Sequence, residues 1–141
     1  MDNINDRYNL RWIDSLLRDT IFYKDKISYI YCLKDYVNNY IEIEEFMSRF
    51  LLLYENSISN YKTASSVNTE QLLRTELNSK SFWFEDAILL NIDEARLKVL
   101  DEIKNNNFPP TEEKKFKQWI EYMLVKLKKN DFNIHNIVDW R

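Results

Sequence analysis

Ile43-Glu44-Glu45-Phe46-Met47-Ser48-Arg49-Phe50-Leu51-Leu52-Leu53-Tyr54-Glu55-Asn56-Ser57-Ile58-Ser59 is the stretch whose reading decides the fold class. Ile43, Phe46, Met47, Phe50, Leu51, Tyr54 and Ile58 recur at helical spacing and form one apolar face. Glu42, Glu44 and Glu45 crowd the first turn, where the helix dipole favours negative charge. Upstream, residues 27–40 place Ile30, Leu33, Val37 and Tyr40 on one stripe, and Asn38-Asn39 weakens that helix because asparagine prefers caps and turns. Residues 7–18, with Tyr8, Trp12, Ile13, Leu16 and Leu17, predict a first helix.

Downstream, residues 60–68 are polar, contain Ser65-Ser66 and read as a loop. Asn68 with Gln71 resembles a capping box that opens a short helix through Leu72, Leu73 and Leu77. Residues 82–90 are apolar nearly all round, which predicts the central buried element. Asn91 followed by Glu94 is expected to cap a further helix with Ile92, Ala95, Val99 and Ile103 inward. Asn105-Asn106-Asn107 ends it, and Pro109-Pro110 prevents its continuation. Thr111 reads as the N-cap of the last long helix, whose stripe is Phe116, Trp119, Ile120, Met123 and Leu127. Beyond Asp131 the chain keeps Phe132, Ile134, Ile137, Val138 and Trp140, so it is expected to dock.

Composition supports helices from another direction. The 141 residues include 0 glycines, where average usage of about 7% would give roughly ten. Glycine is the residue that takes positive φ freely. Its absence excludes Gly-rich phosphate loops, the dinucleotide fingerprint and the nucleophile elbow. It also argues against hairpin-rich β folds, whose tight turns lean on glycine. The expectation is an all-α, single-domain helical bundle of five to seven helices over residues 1–141. An aromatic content of 15% supplies surface to bury and speaks against disorder. The net charge of −3 disfavours direct nucleic-acid binding. No apolar run reaches the roughly 18 residues of a membrane span. The start, Met1-Asp2-Asn3-Ile4-Asn5-Asp6, lacks a basic n-region and an apolar h-region, so a cytoplasmic location is expected.

Catalytic constellations are sparse. Cys32 and His135 are the single cysteine and histidine. A Cys–His nucleophilic pair is weighed against a buried inert thiol and a surface histidine, and the inert reading is preferred. Four zinc ligands cannot be assembled from Cys and His, and no Glu-x-x-His pair for a di-iron bundle exists, so no metal or cofactor is expected. Glu85-Asp86, beside Trp83 and Phe84, is the carboxylate pair with catalytic potential. The preferred reading has one of the two facing water while the other caps or pairs with a lysine. No catalytic residue is assigned.

The acidic groups read better as a surface. Glu42, Glu44, Glu45 and Glu55 lie along the 43–59 helix, and Asp93, Glu94, Asp101 and Glu102 along the helix near residue 100. Such faces are usually only solvated; as a functional surface they would steer a basic protein partner. Tyrosines anchor interfaces, and Tyr36, Tyr40, Tyr54 and Tyr61 are candidates, Tyr54 being joined to the acidic set as a partner-binding residue.

Residues 33–54, about 22 of the 141, resemble the opening of the colicin-D-like bacterial immunity proteins. The matching parts are the step Ile43-Glu44-Glu45-Phe46 and the ending Phe50-Leu51-Leu52-Leu53-Tyr54. The chain carries extra sequence at both ends, and Phe82-Trp83-Phe84-Glu85-Asp86 is only loosely similar to the family's central helix. The resemblance implies an all-α protein that binds a cognate toxin domain, often a nuclease, and blocks its catalytic site. The expected function is therefore an immunity or antitoxin-type inhibitor acting by stoichiometric binding, not an enzyme. A helical adaptor is the alternative, and a homodimer is left open by the aromatic surplus.

Overall fold

A computed structural model describes residues 4–66 and 79–141, with side-chain burial given for residues 14–65 and 80–141. Five α-helices dominate the described chain: α1 (Ile4–Lys24), α2 (Lys26–Val37), α3 (Ile43–Ser66), α4 (Leu90–Lys104) and α5 (Pro110–Lys128). A 3₁₀ turn at Ser79–Ser81, a π turn at Glu85–Leu89 and a 3₁₀ turn at Ile134–Asn136 complete it. The described residues contain no strand, and the all-α expectation holds. None of the helices described is long and apolar enough to cross a membrane.

Helix ends show how the chain turns without glycine. Asn39, Asn106 and Asn130 take φ of 62°, 53° and 54°. Each is the left-handed residue of the same closing motif. After α2, the Asn39 N–H bonds the Tyr36 carbonyl and the Tyr40 N–H reaches back to Asp35. After α4 the equivalent pairs are Asn106 to Ile103 and Asn107 to Glu102. After α5 they are Asn130 to Leu127 and Asp131 to Lys126. Asparagine's short polar side chain makes it the cheapest residue other than glycine for this conformation. Tyr40, expected on the α2 stripe, lies beyond the helix end and is 77% exposed.

Several boundaries differ from the sequence reading. α3 runs on through residues 60–66, read as loop. Thr63 and Ser65 hydroxyls bond the Ser59 and Lys62 carbonyls, and Tyr61 and Ala64 pack on the core, so the polar stretch stays helical. No cap forms at Asn91: α4 follows the π turn directly, and the Asn91 amide donates to the carbonyls of Asp86 and Ala87. The last helix is capped at Pro109, with Pro110 at its first position, where a missing N–H costs nothing. The short helix expected from Asn68 to Leu77 lies outside the described residues.

One core draws on all five helices and on Phe132. α2 lies between α3 and α5, and α1 packs chiefly on α3. Tyr36 stacks on Phe46 at 4.6 Å, and Phe46 meets Phe116 edge-on at 6.3 Å. Phe84, Ala87, Ile88 and Leu89 are fully buried, so the segment read as the central element does fill the centre. The final segment docks across α5: the Trp119 indole donates to the Val138 carbonyl at 2.6 Å, and the Tyr122 hydroxyl to that of Asn136 at 2.7 Å. Arg141 bridges Glu102 of α4 and Glu112 of α5.

Candidate functional site

Two sites follow from this packing. The first is a groove of about 570 Å³ where the start of α3 meets the α4–α5 turn. Ile43, Ile103, Phe108 and Pro109 supply apolar walls, and Glu44 and Glu113 also line it. The Tyr36 hydroxyl donates to Glu113 at 3.3 Å. Burial raises the Tyr36 phenol's pKa, and the charges of Glu113, Glu44 and Glu42 push it further. Lys117 sits 4.7 Å over the Tyr36 ring and bonds the Asn39 side chain.

The rest of the expected acidic set is divided. Glu42, Glu44, Glu45 and Glu55 are exposed. The eleven-residue spacing of Glu44 and Glu55 puts them on one side of α3, with Leu52, 60% exposed, between them. On α4, Glu94 and Asp101 are exposed together with Leu97 and Lys98. Asp93 instead holds Arg96 at 2.8 Å, and Glu102 holds Arg141. None of the α4 acids lines the groove. Tyr54 is not part of the exposed acidic face: it is 8% exposed, and its hydroxyl donates to Glu85 at 2.6 Å. Tyr36 is buried as well, and Tyr61 is held by Asp14. Glu113, in the first turn of α5, is an acidic groove residue outside the expected set.

The second site is a cleft of about 390 Å³ beside the π turn, lined by Arg18, Asp19, Tyr54, Glu85, Asp86 and Leu90 among others. Arg18 grips both oxygens of Glu85, at 2.5 and 2.7 Å. Asp19 accepts the backbone N–H groups of Trp83 and Glu85, both at 3.1 Å. Burial pushes the Asp19 carboxyl up to about 6, against the pull of those two bonds. Burial and the neighbouring Glu85 also raise Asp86. Of the pair Glu85-Asp86, one is buried in an ion pair and one faces water, but the cation is Arg18 rather than a lysine. Residues 66 and 67 positions apart meet here, a distance no local pattern encodes.

Cys32 is buried, its thiol raised to about 12 by burial and bonded weakly to the Phe46 carbonyl. His135 is exposed in the final segment, and no hydrogen bond joins the two among the described residues. Among those residues no group of three or more His, Cys, Asp or Glu is placed to hold a metal ion. No protein-family model matches the chain, and neither a curated protein nor a solved structure matches it.

Proposed function

We propose that the chain is an immunity-type binding protein that inhibits a cognate bacterial toxin domain, of the nuclease class, by covering its catalytic surface. It acts in the cytoplasm by stoichiometric occupation, without chemistry of its own. The observation that supports this reading is the presence of Glu44 and Glu113 in the lining of one apolar-walled groove, with Glu42, Glu45 and Glu55 exposed on α3 and just before it. A nuclease must present cationic groups to phosphates, so a fixed acidic surface competes for the same place. Charge sets the encounter rate and register, while Phe108 and Pro109 give apolar contact in the groove.

The test uses the purified chain and, as probe, a nuclease-type toxin domain taken from a gene found to adjoin that of this chain. Inhibition saturating at one chain per toxin is expected. The triple reversal Glu44→Lys, Glu45→Lys, Glu55→Lys should weaken binding at least about tenfold and flatten its salt dependence, with the helical CD signal intact. Full nuclease activity in the presence of excess chain, or unchanged affinity in the triple variant, rejects the reading.

A further inference from the structure

Past Asn130 the chain reverses and runs back along α5 as a strap. Its contacts step along the helix in order: Asp131 with Lys126, Asn136 with Tyr122, Val138 with Trp119 and Arg141 with Glu112. The start is firmly fixed, since Asp131 takes the buried Lys126 ammonium at 3.0 Å and Phe132 is buried against Phe84 at 5.2 Å. The stretch that follows is held differently. Asn133, Ile134, His135, Asn136, Val138 and Asp139 are exposed. Among the described residues no backbone–backbone hydrogen bond ties 133–141 to a helix, and the bonds across come from side chains. A cleft of about 200 Å³ is lined jointly by Asp139 and Trp140 of the strap and by Asn91, Glu94 and Lys98 of α4, so the strap spans a space there. A segment with so few buried apolar contacts opens at a smaller free-energy cost than the core.

The last two residues fasten the far end. Arg141 donates to both oxygens of Glu102, at the end of α4, and to Glu112, at the start of α5, at 3.1 and 3.2 Å. Its guanidinium lies 4.0 Å over the Trp140 ring, and Trp140 meets Phe116 edge-on at 5.4 Å and Phe108 at 6.3 Å. Glu102 and Glu112 bracket the α4–α5 turn. Ile103, Asn106, Asn107, Phe108 and Pro109, which line the acidic groove, all fall between them. Phe108 thus belongs to the groove wall and also touches the strap. One arginine ties together the two ends of the turn that forms that wall.

We propose that residues 133–141 dock and release as a unit, and that their latch, Trp140 with Arg141, sets the conformation of the groove wall. Release removes both the bridge between Glu102 and Glu112 and the ring that backs Phe108, so the α4–α5 turn is freed with the strap. Coupling of this kind is reciprocal: whatever holds Phe108 from the groove side holds the strap down by the same factor. As regulation of a binding face the device rests on the function proposed above. The motion itself is tested on the chain alone, so the two fail separately.

The test follows hydrogen exchange by NMR on the ¹⁵N-labelled full chain at several urea concentrations below the unfolding transition. The Trp119 indole N–H, bonded to the Val138 carbonyl, reports the strap, and the Asn107 amide, bonded to the Glu102 carbonyl at 2.8 Å, reports the groove wall. At both sites the urea dependence of exchange is expected to fall well below that of global unfolding. Arg141→Ala removes two part-exposed ion pairs and one ring contact, and should speed exchange at both sites by a common factor of about five. Unchanged exchange at the indole overturns the latch. Acceleration at the indole without acceleration at Asn107 overturns the coupling. The full urea dependence of global unfolding at either site overturns release as a separate motion.

Discussion

Asp19→Asn should remove one identifiable component of the pH dependence of stability. The carboxyl is 8% exposed, and burial lifts its pKa from 3.8 to about 6 despite two backbone N–H donors. Above pH 6 the group is ionised in folded and unfolded chains alike, and the folded state bears the desolvation cost. As pH falls through about 6 the folded chain takes up a proton that the unfolded chain still lacks, so stability rises. Below the unfolded value of 3.8 both forms are protonated and the gain is complete. Roughly two decades of proton affinity, at about 1.4 kcal/mol each, give about 3 kcal/mol. Asp131 works in the opposite sense, since its bond to Lys126 lowers its pKa, but it is present in both proteins and cancels in the difference. The assay is urea unfolding followed by CD at a series of pH values from neutral down to about 4. Parent minus variant stability should climb by roughly 2.4 kcal/mol between neutral pH and pH 4, most of the full gain. A difference curve flat to within about 0.5 kcal/mol would refute the assignment of Asp19 as a buried, destabilised carboxylate.

Two further changes test the architecture. Tyr54→Phe deletes the hydroxyl that donates to Glu85 at 2.6 Å; it should cost about 2 kcal/mol and lower Tm by roughly 5 °C in a thermal melt. Asn106→Ala puts a Cβ without a local hydrogen bond at φ 53° and should destabilise by about 1 kcal/mol in urea titration, whereas Asn106→Gly should be neutral or slightly stabilising.

What the sequence made legible was local. Ile43, Phe46, Phe50 and Tyr54 share a face because a helix repeats every few residues, and all four are buried. Asn38-Asn39 and Asn105-Asn106-Asn107 were readable as helix ends because asparagine alone could take glycine's part there. The acids at the start of α3 were readable as a surface, since dipole and solvent both favour them at that position. Tyr54 was misplaced because residue type was allowed to outweigh spacing: it sits on the same stripe as Phe46 and Phe50, which marked it as core. The polar end of α3 was missed because its hydroxyls satisfy backbone carbonyls within the helix instead of breaking it. The Arg18–Glu85–Asp19 cluster was out of reach, because it exists only after α1 and the π turn are packed.

That cluster also explains why the fold can present a defined surface. A buried ion pair is a poor device for stability, since an apolar replacement of similar volume is often as good or better. What it supplies is a single seating. Glu85 must meet Arg18 from α1 and Tyr54 from α3 at once, while Asp19 must reach the N–H groups of Trp83 and Glu85. A π turn shifted by one residue satisfies neither condition and leaves charges buried without partners. The turn carrying Trp83 is therefore held in one conformation before any partner arrives. A glycine-free chain whose helices close on asparagine adds to this, because it has less backbone freedom to lose. In protein association generally, ordering cost is subtracted directly from affinity, so a turn already fixed in place favours the binding role proposed above.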